Sequence, residues 1–233
     1  MNKKDSIKNY YDVIGSGIKT QPKDKNFKKH YIITPARICV LGQSGAGKSN
    51  AVINLISRFG PIFYKMVIFS GSTSDEPLYN YLRENIEGVE MYNNIAEVPE
   101  LKESEEDNKN HQKLIIFDDF ITLNKKELNK IFEYAIASRK FGWTCIFLSQ
   151  NYTSIPKIIT RNCDYYIMFR LNDNVSINNI MKNHNIDNID KETFKKCYVD
   201  ATSKPMDFFL IDLKGEPKTR LRHNFLDFYD LTI

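Results

Sequence analysis

The sequence has no apolar run near the roughly 20 residues that a membrane-spanning helix needs, and its opening residues, MNKKDSIKNY, carry lysines with no apolar stretch behind them. Neither a membrane span nor a secretory leader is expected, so the protein should stay where it is made. The four cysteines, Cys39, Cys145, Cys163 and Cys197, lie far apart, with no CxxC pair and no histidine at metal-ligand spacing. That argues against zinc or redox chemistry and for buried thiols in a reducing compartment. No segment repeats. The 233 residues, 42% hydrophobic and 27% charged, are enough to bury one continuous core. A net charge of +4 neither demonstrates nor excludes a nucleic-acid partner. The charge is unevenly placed, with lysines crowded between Lys3 and Lys29 and an acidic stretch from Glu100 to Asp107.

Residues 1–30 read as a basic, flexible N-terminal arm, either a solvated end or a tail that contacts phosphates. Residues 31–233 read as one domain. Ala36–Leu41 is a short apolar run ending in a glycine loop, as a buried parallel strand does. Ser49–Phe59 follows as a helix stopped by Gly60-Pro61. Further strands are expected at Met66–Phe69, Val89–Tyr92, Leu114–Phe117, Thr144–Leu148 and Tyr165–Phe169. Helices are expected near Pro77–Asn85, over Leu128–Ile136, around Ile155–Ile159, and at Val175–Asn183 and Lys191–Tyr198. Phe208–Leu213 and Thr219–Asn224 read as a closing hairpin around Gly215. The alternation predicts an α/β fold with a mainly parallel central sheet flanked by helices and an antiparallel hairpin at one edge.

Gly42-Gln43-Ser44-Gly45-Ala46-Gly47-Lys48-Ser49 matches the Walker A pattern G-x-x-x-x-G-K-[ST] between a predicted strand and a predicted helix, with Asn50 next. Glycines there let backbone N–H groups turn around a β-phosphate, Lys48 bridges β- and γ-phosphates, and Ser49 ligates Mg²⁺. Leu114-Ile115-Ile116-Phe117-Asp118-Asp119 delivers two carboxylates from the end of an apolar strand. Asp118 is the expected Mg²⁺ partner, and Asp119 can take a proton from attacking water. The same pair could instead cap a helix or a turn. Gln150 follows another apolar strand and would emerge near a γ-phosphate if that strand lies beside the Asp118 strand. Arg139 and Arg161 are surface cations or arginines that reach a neighbouring subunit's nucleotide. A Ras-type GTPase should carry N-K-x-D late in the chain, whereas Asn124-Lys125-Lys126-Glu127 ends in the wrong acid and comes too early. The adjacent second acid favours hydrolysis over phosphoryl transfer to a small molecule.

Taken in order, GQSGAGKSN, LIIFDDF, SRKFGWTCIFLSQNYTSIPKIITRN and FFLIDLKGEPKTRLRHNF resemble the genome-packaging ATPases of large DNA viruses and virophages, poxvirus-type members of the FtsK/HerA superfamily. The resemblance runs from about Arg37 to Phe225. Its most specific block is Ser149-Gln150-Asn151-Tyr152 with Ile155-Pro156 and Arg161-Asn162. It implies a RecA/FtsK-HerA-like P-loop NTPase fold with ATP and Mg²⁺ as ligands, Asp119 as the second acid, Gln150 as a sensor, and Arg139 or Arg161 acting in trans. It further implies a homo-oligomeric ring, a pentamer or hexamer, that translocates viral double-stranded DNA into preformed capsids. Such a ring would meet a capsid vertex or membrane protein and work in the host cytoplasm at the viral factory, with the virion as a second location. The chain is short for such a motor and leaves no room for a nuclease domain. Two rivals share the motifs. One is an FtsK/HerA-type pump or helicase in replication or mobile-element transfer, and the other is a nucleotide-gated assembly protein in which turnover is incidental.

Overall fold

The computed structural model describes residues 23–71, 76–102, 112–184, 186 and 189–230. Most of the lysine-rich arm and the polar insertion after Lys102 lie outside these residues.

Among the described residues nine strands form one sheet: β1 (Arg37–Leu41), β2 (Phe63–Ser70), β3 (Val89–Tyr92), β4 (Gln112–Asp118), β5 (Trp143–Ser149), β6 (Tyr165–Met168), β7 (Phe209–Asp212), β8 (Leu221–His223) and β9 (Asp227–Phe228). Their spatial order is β3-β2-β4-β5-β1-β6-β7-β8-β9. The strands from β3 to β6 pair in parallel and the last three antiparallel. The helices are α1 (Lys48–Phe59), α2 (Pro77–Asn85), α3 (Lys125–Ala137), α4 (Lys157–Thr160), α5 (Asn174–Asn183), α6 (Lys191–Ala201) and α7 (Pro217–Arg220).

Parallel strands need both faces covered, and the core accordingly divides in two. Ile38 and Val40 of β1 face one layer with Val52, Leu55 and Phe59 of α1 and Tyr79 and Leu82 of α2. Cys39 and Leu41, the alternate positions, face the other layer with Ile131 and Tyr134 of α3, Ile180 of α5 and Phe194 of α6. This explains why β1 and β5 are buried at every position and read as continuous apolar runs. All four cysteines are buried, and burial pushes the Cys145 thiol up to about 12. No helix among the described residues is long and apolar enough to cross a membrane.

Three expectations are corrected. The domain boundary at residue 30 falls inside packed structure. A 3-10 turn at Phe27–Lys29 precedes His30, which is fully buried with its ring 4.5 Å from that of Phe59, and the Asn26 amide donates to Phe59 O at 2.8 Å. Thr219 and Arg220 belong to α7, not to the returning strand, because Pro217 starts a helical turn behind the Asp212 loop. The short helix expected at Ile155 begins at Lys157, since Pro156 holds the N-cap position in an extended conformation. Asn124-Lys125-Lys126-Glu127 is a capping box, with Asn124 accepting from the Glu127 N–H and Glu127 from the Asn124 N–H.

Candidate active site

All parallel strands end at one edge of the sheet, and the motif residues gather there. Leu41 is level with Ser149, and the Gly42 N–H donates to Ser149 O at 3.1 Å, so the glycine loop opens directly beside Gln150. β5 lies between β1 and β4, which puts Gln150 between the loop and Asp118. The condition for its approach to a γ-phosphate, adjacency of its strand to the Asp118 strand, is met. Gly47 is the N-cap of α1 with φ 101°, a left-handed conformation that a side chain would strain. This aims the first N–H groups of α1 into the pocket.

That pocket has a volume of about 350 Å³ and a predominantly polar lining, in which Lys48, Ser49, Asp118, Asp119 and Gln150 converge with Glu76. The Lys48 ammonium donates to Gly42 O at 2.7 Å and Gln43 O at 3.0 Å. Burial lowers its pKa, against the pull of Asp118, Asp119 and Glu76. Burial also raises Asp118, although the Tyr79 hydroxyl and the Asp119 N–H donate to it. Charges drawn out of water in this way suit a ligand that brings the opposite charges, a polyphosphate for Lys48 and a divalent cation for Asp118.

Asp119 has φ 50° and sits at the N-cap of a 3-10 turn, Phe120–Thr122, yet its side chain caps nothing. The turn explains its position but does not occupy its carboxylate. Gly71, at the end of β2, accounts for the unusual backbone. Its N–H donates to Asp118 O at 2.9 Å, and a Cβ there would lie 2.4 Å from Asp119 O. Gly71→Ala must therefore displace the Asp119 peptide. We expect kcat for nucleotide hydrolysis to fall roughly 10²-fold, as for misplacement of a reacting group by about 1 Å. Nucleotide affinity should change little, and parallel kcat and binding measurements check this.

Ser70, Glu76, Leu78 and Met206 line the pocket and escaped sequence reasoning, as did Tyr79, which reaches Asp118 from the core behind it. Tyr79 reads as a core position of α2, and Glu76 as a polar residue ahead of Pro77. Met206 is 62% exposed with φ 68°, and it lies over Gly47 in the same pocket. No periodicity marks it.

Neither candidate arginine joins the pocket. Arg139 lies in the turn Ser138–Phe141 before β5, and Arg161 follows α4 ahead of β6. Both are at the edge where strands begin, roughly 20 Å from the pocket by the length of β5. Arg139 is 3.9 Å from Asp164, a carboxylate also paired with Arg37 and Lys214. Arg161 is exposed.

A family described as Poxvirus A32 protein matches residues 24–204. No curated protein sequence matches the chain. Among solved structures it is similar to the genome packaging NTPase B204 from Sulfolobus turreted icosahedral virus 2 in complex with AMP, at 16% identity and a TM-score of 0.54, over 79% of this chain and 99% of that one. The complex of the same protein with AMPPCP gives 16% identity and a TM-score of 0.53 over 77% and 94%. EssC (ATPases 2 and 3) from Geobacillus thermodenitrificans gives 15% identity and a TM-score of 0.53 over 77% of this chain and 38% of that one. At such identities the likeness is one of fold.

Proposed function

The chain belongs to the poxvirus A32 protein family, and on that premise we propose that it is a viral genome-packaging ATPase that hydrolyses ATP to drive double-stranded DNA into preformed capsids. The observation that carries this reading is the convergence of the glycine loop, Asp118, Asp119 and Gln150 in one polar pocket at the strand ends. The fold likeness to B204, a genome packaging NTPase seen with AMP and AMPPCP, supports ATP as the ligand.

The α1 N-terminus and the loop N–H groups hold the phosphates, and Lys48 leaves the Gly42 and Gln43 carbonyls to bridge β- and γ-oxygens. The donor set fits magnesium. Ser49 offers a hydroxyl and Asp118 a carboxylate, while no group of three His, Cys, Asp or Glu side chains among the described residues could hold a metal alone. Such a site suits a hard cation that arrives with phosphates and keeps its waters. Bound there, the ion supplies charge neutralisation at the phosphate oxygens. Asp119 accepts a proton from water as the water oxygen attacks the γ-phosphorus. The bond from that phosphorus to the bridging oxygen breaks, giving ADP and phosphate. Gln150 orients the water or reports the γ-phosphate.

The working form in this reading is a homo-oligomeric ring, with Arg139 or Arg161 completing a neighbour's site. Their place at the far edge of the sheet supports a role in trans, since neither can serve its own nucleotide. A capsid vertex or membrane protein is the expected docking partner.

Steady-state hydrolysis by the purified chain, with and without duplex DNA across a range of protein concentrations, tests the reading. Turnover should rise several-fold with DNA and more steeply than linearly with protein. Tight nucleotide binding without turnover under any condition would favour the nucleotide-gated assembly protein instead.

A further inference from the structure

Buried tyrosine hydroxyls need a partner, and the usual one is a backbone carbonyl. Tyr134, Tyr166 and Tyr198, all buried, follow this pattern and donate to Pro99 O, Thr160 O and Phe169 O. Tyr79 does not. It is fully buried, and its hydroxyl donates to Asp118 Oδ2 at 2.7 Å. The other carboxylate oxygen, Oδ1, accepts the Asp119 N–H at 3.0 Å. Asp118 is thus fixed through both oxygens, one by its own chain and one by a helix 39 positions away. Tyr79 therefore touches the residue of the second Walker motif that would hold a divalent cation.

We propose that Tyr79 is a positioning residue that holds the Asp118 carboxylate in the orientation a divalent cation requires, preforming that side of the metal site. The proposal rests on the ATPase reading of the pocket. A phenol suits the task because its ring is clamped in the core beside Leu82, while its rigid O–H fixes a carboxylate without adding charge. An outer partner of this kind contributes little to binding of the bare nucleotide, whose phosphates meet the loop N–H groups and Lys48.

The test is binding of a fluorescent ATP analogue to the full chain, titrated with Mg²⁺ and repeated in EDTA, for the wild type and Tyr79→Phe. The variant should bind in EDTA as the wild type does but need about ten- to a hundredfold more Mg²⁺ to reach the metal-enhanced affinity, the range set by loss of an outer-shell partner. A double-mutant cycle guards against a general packing defect. In an Asp118→Asn background, Tyr79→Phe should add almost nothing. An unchanged Mg²⁺ dependence in Tyr79→Phe, or fully additive effects in the cycle, would overturn the proposal while leaving the ATPase reading standing. Absence of any Mg²⁺ effect in the wild type would overturn both.

Discussion

Asp119→Asn is expected to bind ATP with near wild-type affinity and to lose kcat by roughly 10²- to 10⁴-fold, the usual contribution of a positioned general base. The substitution keeps the side chain's size and removes only its ability to accept a proton. The backbone it inherits is suitable, because asparagine tolerates the φ of 50° that Asp119 adopts, and no capping hydrogen bond is lost. Lys48 would lose one of the carboxylates that hold its charge in the pocket, so a small gain or loss in affinity is compatible with the account. Single-turnover kinetics alongside equilibrium binding separate the two effects. Equal loss of binding and kcat would mean that Asp119 acts structurally. An unchanged kcat would move the base elsewhere in the pocket, where Glu76 is the carboxylate left besides the metal-facing Asp118.

The largest expected loss of stability lies far from the nucleotide. Arg222 is 1% exposed and donates to Asp212 Oδ2 at 2.9 Å, to His30 O and Tyr31 O at 3.1 Å, and to Thr219 O at 2.8 Å. Burial lowers the Arg222 pKa and raises that of Asp212, so each ion stays charged largely because the other is present. Arg222→Met should destabilise the fold by about 3–5 kcal/mol, because it strands a buried carboxylate and three backbone carbonyls. It should also loosen the 23–31 segment from the antiparallel edge. Adding Asp212→Asn to Arg222→Met should recover part of that loss, because the stranded charge disappears. Urea unfolding of the two variants and the wild type checks the order, and a loss below about 1 kcal/mol for Arg222→Met would show that water reaches the site.

Much of the fold was legible because the central parallel strands β1, β4, β5 and β6 are buried on both faces and so read as apolar runs with a turn behind them. Legibility failed where one face meets solvent. β2 starts at Phe63, three residues before the expected Met66, because exposed Tyr64 and part-buried Lys65 interrupt the run. The packed stretch 23–30 hid in a lysine-rich segment, since His30 is buried with its ring packed edge-on against Phe59 and its pKa is lowered by that burial. The glycine loop and the acid pair could be read because their chemistry lies in consecutive residues. Tyr79 and Gly71 could not, because what they touch is more than thirty positions away, across β2 and β4. The far-edge position of Arg139 and Arg161 follows from strand polarity and is invisible to linear distance from Gln150.

Displacement of a labelled third strand from a triplex placed far from the loading end reads out ATP-driven movement along duplex DNA. The wild type with ATP and magnesium should displace it, with a delay that grows with the distance to the triplex, and neither Asp119→Asn nor the wild type without hydrolysis should do so. Hydrolysis stimulated by DNA at every protein concentration, with the triplex left in place, would contradict such movement.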